Sequence, residues 1–114
     1  MEWERLLEIA ESVVAETIDQ LPPPVQQRVS DVPVLLEKIP GQDDLDAGIE
    51  PDTLGFFDED GNGLTQIRLW LENIHDYADG NPDVFADEVA TTLLHEIGHV
   101  LGWDEEDLDE RGLS

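Results

Sequence analysis

The sequence predicts a single α+β domain, and three observations support this fold class. The chain has 114 residues, a length typical of one domain with one hydrophobic core. Apolar residues recur with helical spacing at the beginning of the chain and in its last third. Three short apolar runs lie between these two segments. We therefore expect residues 1–114 to form one domain, in which a small three-stranded sheet packs on a long helix and an N-terminal helix.

Residues 2–21 form the first predicted helix. Its apolar residues recur at intervals of three and four, as expected of a helix with one buried face: Trp3, Leu6, Leu7, Ala10, Val13, Val14, Ile18 and Leu21. The prolines at 22–24 end this helix. They also favour a further helical segment over residues 25–30, since proline is well suited to the first turn of a helix.

Three strands are predicted in the middle of the chain. Residues 32–39 and 53–57 are short apolar runs, and Pro33 places the first of them at a sheet edge or at a strand start. Residues 67–74 alternate in the manner of a half-buried strand, with Ile67 and Leu69 on one face and Arg68 on the other. The acidic segment 41–52 shows no periodic spacing of apolar residues, and we expect it to form a surface loop.

A long helix is predicted from Asn81 to about Leu101. Asn81 and Pro82 are typical of an N-cap and a first helical position, and Gly102 is typical of the residue that follows a helix. The apolar stripe of this helix consists of Phe85, Val89, Leu93, Ile97 and Val100. Residues 104–111 are expected to form a last short helix.

The charge of the chain is strongly negative. There are 29 Asp and Glu residues against 5 Lys and Arg, which gives a formal net charge of -24. We expect no nucleic-acid partner, because such a partner requires cationic side chains to displace counterions from phosphates. No apolar run reaches the roughly 20 residues of a membrane span, and the first residues lack the pattern of a secretory signal. We expect a cytoplasmic protein without a membrane partner, in a cytoplasm rich in screening salt.

The long helix contains the motif His95-Glu96-Ile97-Gly98-His99. Residues four apart lie one helical turn apart, so both imidazoles project from one face and can bind one ion. The chain has no Cys, and any metal must therefore be held by His, Asp or Glu. Glu96 lies about 100° round the helix from His95. That position suits a general base acting on a metal-held water better than a third ligand.

A zinc site is expected to have a third protein ligand. Gly102 can adopt a left-handed conformation, which would let the chain turn back towards the metal. Glu105, six residues past His99, is the favoured ligand. Three other acidic residues of this tail are alternatives: Asp104, Glu106 and Asp109.

The string HEIGHVLGWDE resembles the zincin metallopeptidase pattern HExxHxxGxx followed by His or Asp. Glu105 stands at that last position and is one methylene longer than Asp. Nearly the whole chain also resembles the small single-domain zincin-like proteins of prokaryotes called mini-zincins. The resemblance includes the predicted strands and the closing residues 105–108. It implies a zincin-like fold with a small sheet beside the HExxH helix, and peptidase activity.

These observations together predict a zinc-dependent metallopeptidase with one Zn²⁺ per chain, held by His95, His99 and Glu105. Glu96 is the predicted general base, and a peptide or protein is the expected substrate. The strand over residues 67–74 is expected to hold an extended peptide by edge pairing.

Other interpretations of the same residues stay open. The chain fits a non-catalytic zinc-binding or protein-interaction module on a zincin scaffold. It also fits a calcium-binding protein, since residues 58–63 resemble the first half of an EF-hand loop, although Leu69 stands where a bidentate Glu belongs. The family resemblance allows His75 or Tyr77 to stabilise an oxyanion; the alternative is that both are surface residues.

Overall fold

The computed structural model of the protein describes residues 1–59 and 65–102. The helices are α1 (Trp3–Asp19), α2 (Pro23–Val29), α3 (Gln42–Asp46), α4 (Leu71–Tyr77) and α5 (Pro82–Val100), and the strands are β1 (Val34–Glu37), β2 (Gly55–Glu59) and β3 (Thr65–Trp70). The predicted α+β fold class is confirmed. The predicted helix over residues 104–111 and most of the EF-hand-like string lie outside the described residues.

The long helices α1 and α5 begin and end close to the predicted positions. The Asn81 side chain accepts hydrogen bonds from the backbone N–H groups of Asp83 and Val84, at 2.9 and 3.1 Å. It thereby satisfies donors that the first turn of α5 leaves without a helical partner. Gly102 follows the other end of α5 with φ of 82°, the left-handed conformation that glycine adopts at helix ends.

The sheet has the strand order β1-β3-β2. β1 runs parallel to β3, with Val34 opposite Ile67, and β2 runs antiparallel to β3, with Gly55 opposite Leu69. β3 is therefore the central strand, and the prediction that it offers an edge to a peptide is wrong. Alternation indicates that a segment is a strand, but it does not indicate which strands lie beside it. Among the described residues, the edge strands are β1 and β2.

The third strand is also shorter than predicted. β3 ends at Trp70, and residues 71–74 belong to α4. The fully buried Leu71 and Ile74, together with Ala78, are spaced by three and four residues, as a helix requires. Leu71 also continues the period of two from Ile67 and Leu69, so this short segment satisfied both patterns.

A short helix, α3, lies in the acidic segment that was expected to be a loop. The Gly41 N–H donates a hydrogen bond of 2.8 Å to the Asp44 carboxylate at its start. Asp44 also accepts hydrogen bonds from Arg68, which is 24 residues away in the sequence. A helix of five residues is too short to show a period, and its main side-chain contact comes from a distant strand.

The core lies between one face of the sheet and the helices α1, α4 and α5. We call this the inner face; it carries Val34, Leu36, Gly55, Phe57, Ile67 and Leu69, and the opposite outer face carries Glu37, Arg68 and Trp70. The stripe predicted for α5 is confirmed, since four of its residues are buried and the fifth packs against the core: Phe85, Val89, Leu93, Ile97 and Val100. This burial fixes the rotation of α5 about its own axis. None of the helices in the described part of the chain is long and apolar enough to cross a membrane.

Candidate metal centre

His95 and His99 lie in the last two turns of α5, with their side chains next to each other. Their ring centroids are 4.7 Å apart and the rings are inclined by 80°. One ligand atom from each imidazole and one Glu96 carboxylate oxygen all lie within 4.8 Å of one another. Both histidines are half-buried and Glu96 is only 7% exposed. A single ion can therefore contact both imidazoles while the carboxylate stays beside it.

The donor set of this cluster fits zinc. Zinc in proteins is bound by imidazole nitrogen and carboxylate oxygen as well as by thiolate, and the chain has no Cys. The offset of Glu96 round the helix does not separate its carboxylate from the imidazoles, because the side chain is long enough to reach them. The geometry is compatible with a carboxylate that binds the metal and with one that acts as a base beside it.

The tail that was predicted to supply the third ligand lies outside the described residues. It contains Glu105 and the three alternatives, Asp104, Glu106 and Asp109. The residue at which the chain was predicted to reverse, Gly102, is described, and its positive φ is the conformation that such a reversal needs. The assignment of Glu105 stays a prediction.

A cleft of about 240 Å³ opens beside the cluster. One wall is α5 and the other is the segment that enters β2; the lining residues are Leu54, Gly55, Glu88, Thr91, Thr92, His95 and Glu96. His95 and Glu96 therefore face a space that is bordered by an edge strand of the sheet. A substrate of extended shape would find both the cluster and a strand edge in the same place.

Gly55 allows α5 to lie close to β2. A Cβ atom at this position would lie 2.7 Å from Thr92 Cγ2 and 3.3 Å from the backbone oxygen of Arg68. Since Thr92 precedes His95 by about one helical turn, this contact sets the distance between the strand edge and the candidate metal residues. The sequence contained one signal for it, a glycine inside an apolar run, which typically marks a close backbone approach.

Asn73 in α4 anchors the chain that leads into β2. Its side-chain amide donates hydrogen bonds to the carbonyl oxygens of Pro51 and Thr53, at 2.8 and 2.9 Å. The next residue, Leu54, lines the cleft, and its carbonyl accepts a hydrogen bond of 2.9 Å from the Trp70 N–H. Asn73 was not among the predicted site residues, and no local pattern in the sequence marks it.

His75 and Tyr77 lie in α4 and do not line the cleft beside His95. The His75 ring packs edge-on against Phe85 with centroids 6.3 Å apart, and its Nε2 is buried without a hydrogen-bond partner among the described residues. Tyr77 is 64% exposed. It lines a second hollow with Asp52, Leu54, Asn73 and Asp76. These positions favour packing and surface roles over stabilisation of an oxyanion.

Comparison with known protein families gives a match over most of the chain. A family model described as a zincin-like metallopeptidase matches residues 29–113. The matched region contains the whole sheet, α5 and its HExxH motif. No curated protein matches the chain. Because the family model covers well over half of the sequence, and because its region includes the His-Glu-His cluster, the chain belongs to the zincin-like metallopeptidase family.

Proposed function

We propose that the protein is a zinc-dependent peptidase, in which His95 and His99 hold the metal and Glu96 is the general base. One observation carries this proposal: two imidazole nitrogens and a carboxylate oxygen converge to within 4.8 Å in a member of the zincin-like metallopeptidase family. His95 and Glu96 of this cluster line a cleft, so a substrate has access to them. Two histidines and a carboxylate are a common ligand set for catalytic zinc, so this arrangement requires a carboxylate ligand besides Glu96.

Glu105 is our proposed third ligand, and Glu96 acts as the base. The sequence supports this division of roles, because Glu105 occupies the last position of the motif HExxHxxGxx followed by an acidic residue. The competing arrangement has Glu96 as a ligand. It predicts that Glu96→Gln loses zinc, whereas our arrangement predicts that this variant keeps zinc and that Glu105→Ala weakens its binding.

The proposed reaction is hydrolysis of a peptide bond. Zinc, when bound, supplies a water of lowered pKa and polarises the substrate carbonyl. Glu96 takes the proton of the attacking water and later donates it to the leaving amine. The burial of Glu96 beside the two imidazoles supports this role, since a base must lie within hydrogen-bonding reach of the water. The buried stripe of α5 holds the three side chains in register.

The edge of β2 that faces away from β3 is our proposed binding site for the substrate backbone. The Trp70 N–H donates to the Leu54 carbonyl, so Leu54 and every second residue after it direct their backbone groups towards β3. Gly55, Phe57 and Glu59 then direct their N–H and C=O groups to the opposite side. An extended peptide that pairs with this edge would pass the cleft at Gly55. This replaces the predicted edge pairing by β3.

The test is zinc content together with turnover of a fluorogenic peptide mixture. We expect about one zinc per chain in the wild type, and loss of zinc in His95→Ala and His99→Ala. Glu96→Gln is expected to keep zinc and to lose turnover by roughly 10²–10⁴-fold. A wild type that binds zinc without turnover would support the non-catalytic module instead. A protein that stays metal-free in excess zinc would refute the zinc site itself.

A further inference from the structure

Glu88 lines the same cleft as His95 and Glu96 and has no part in the mechanism proposed above. It precedes His95 by seven residues on α5, which is close to two full turns, so both side chains project from nearly the same face. The two positions are about 10 Å apart along the helix axis. Glu88 is half-buried and lines the cleft together with Leu54 and Thr91. A substrate that reaches the cluster therefore passes close to this carboxylate.

The surroundings of Glu88 leave its negative charge available to a ligand. Among the residues that the structure describes, no Lys or Arg lines this cleft, and none lines the second hollow, which shares Leu54 with it. The ion pairs found within 1–59 and 65–102 do not include Glu88. A half-buried carboxylate interacts with a cation more strongly than a fully hydrated one, because the effective dielectric constant around it is lower.

We propose that Glu88 binds a cationic nitrogen group of the substrate and makes the protein selective for positively charged peptides. This inference rests on the proposed peptidase function. The group is the guanidinium or ammonium of an Arg or Lys side chain, or the free N-terminal ammonium. Each donates charge-assisted hydrogen bonds to a carboxylate. Leu54 on the facing wall is suited to the methylene stem of a long basic side chain.

The net charge of -24 attracts the same peptides from a distance, and the experiment has to separate this effect from local binding. A long-range field concentrates any cationic peptide near the protein, wherever the charge lies along the peptide. Contact with Glu88 instead favours one position of the charge. Asp87 offers a matched control, because it is adjacent and exposed and does not line the cleft. Glu88→Gln and Asp87→Asn each remove one negative charge.

The probes are N-acetylated hexapeptides with one arginine moved through every position, each paired with a peptide that carries neutral citrulline there. For the zinc-loaded wild type we expect kcat/KM to be about tenfold higher with arginine than with citrulline at one position, as for a hydrogen bond to a charged group. Glu88→Gln should abolish this preference, mainly through KM, and Asp87→Asn should keep it. A preference that appears only with peptides lacking the acetyl group would identify the N-terminal ammonium as the bound cation. Thermal midpoints of both variants should match the wild type.

Binding to the Glu96→Gln protein, measured by fluorescence anisotropy with labelled peptides, separates this inference from the peptidase proposal. Turnover without preference for a cation at any position, or an equal loss of preference in both variants, would overturn the role of Glu88 and leave the peptidase proposal intact. An absence of turnover would overturn the peptidase proposal. In that case, if the Glu96→Gln protein binds arginine peptides in preference to citrulline peptides, and if adding Glu88→Gln abolishes this preference, the cation site is still supported. If the preference is absent, both the peptidase proposal and the role of Glu88 are overturned.

Discussion

The inner and outer faces of the sheet are held in place by different interactions. On the inner face, Ile67 and Leu69 are fully buried against the stripe of α5, and the closest approach is that of Gly55 to Thr92. On the outer face, Arg68 donates two hydrogen bonds to Asp44, at 2.7 and 2.6 Å, and two to Glu37, at 3.1 and 2.9 Å. The inner face depends on shape and apolar burial, and the outer face depends on charge-assisted hydrogen bonds.

The outer face shows how a chain with few cations uses one of them. The Arg68 guanidinium lies 5.0 Å from the centroid of the Trp70 ring, and the Trp70 Nε1–H donates a hydrogen bond of 3.1 Å to Glu37. Arg68 and Asp44 are largely buried, with side-chain exposures of 13% and 15%. The hydrogen bond from Arg68 holds the pKa of Asp44 below its ordinary value, and the Asp44 carboxylate raises the pKa of Arg68.

The difference between the faces predicts that stability and metal binding can be altered separately. α5, which contains the candidate metal centre, packs on the inner face, so a change there should affect both stability and metal binding. The outer face lies on the other side of the sheet from α5, so a change there should affect stability while the His-Glu-His cluster stays intact. Two substitutions and one change of pH test this separation, in order of decreasing expected effect on stability.

The largest effect on stability is expected from Arg68→Met. It leaves Asp44 and Glu37 without their cationic partner in a partly buried site, and breaking such a pair costs about 3 kcal/mol. The measurement is chemical denaturation with zinc present at a fixed concentration. Zinc affinity, measured by competition with a chelator below the unfolding transition, should stay within about twofold of the wild type, which is roughly 0.4 kcal/mol. A large loss of zinc affinity would show that the two faces are coupled.

Gly55→Ala is expected to have a smaller effect on stability and a larger effect on the site. The added Cβ meets Thr92 Cγ2 at 2.7 Å, and overpacking of this kind costs about 1–3 kcal/mol. Because the strain is relieved by moving α5 away from β2, peptide turnover should fall more than in Arg68→Met. Gly48→Ala is the control for a loss of stability without a steric clash, since its φ of 97° makes alanine strained while the added Cβ meets no atom within 4 Å. Unchanged turnover in Gly55→Ala would mean that the spacing between β2 and α5 does not matter for the reaction.

The smallest effect is a pH dependence that belongs to the outer face. The pKa of Asp44 is lowered in the folded protein and is about 3.9 in an unfolded chain. The stabilisation by this group is therefore present above about pH 4 and is lost as the pH falls through the lower folded-state value. We expect the free energy of unfolding to decline more steeply below about pH 4 in the wild type than in Arg68→Met. The two proteins have the same acidic residues and differ only in the contacts that Arg68 makes. Parallel pH profiles would therefore contradict the assignment of this pH dependence to Asp44.

Sequence periodicity was sufficient where an element is long and its stabilising pattern is local. The stripe from Phe85 to Ile97 repeats over several turns, and the Asn81 cap acts within three residues. The spacing of His95 and His99 converts directly into neighbouring imidazoles. Short elements were ambiguous for the opposite reason. Residues 71–74 satisfied both a strand and a helix pattern, and α3 is too short to show any pattern at all.

The sequence by itself determined the α+β fold class, the length of α5, which face of α5 is buried, and the pairing of two histidines on one helix face. Each of these depends on the patterns of residues that lie near one another in the chain. Only the tertiary structure decided that β3 is central, that β2 borders the cleft, and that Arg68 joins Asp44 to Glu37. The close approach of Gly55 to Thr92 was likewise decided only by the tertiary structure, because the two residues lie far apart in the chain. These features depend on which distant segments pack together, and packing is selected by the burial and hydrogen bonding of the whole core rather than by any local spacing.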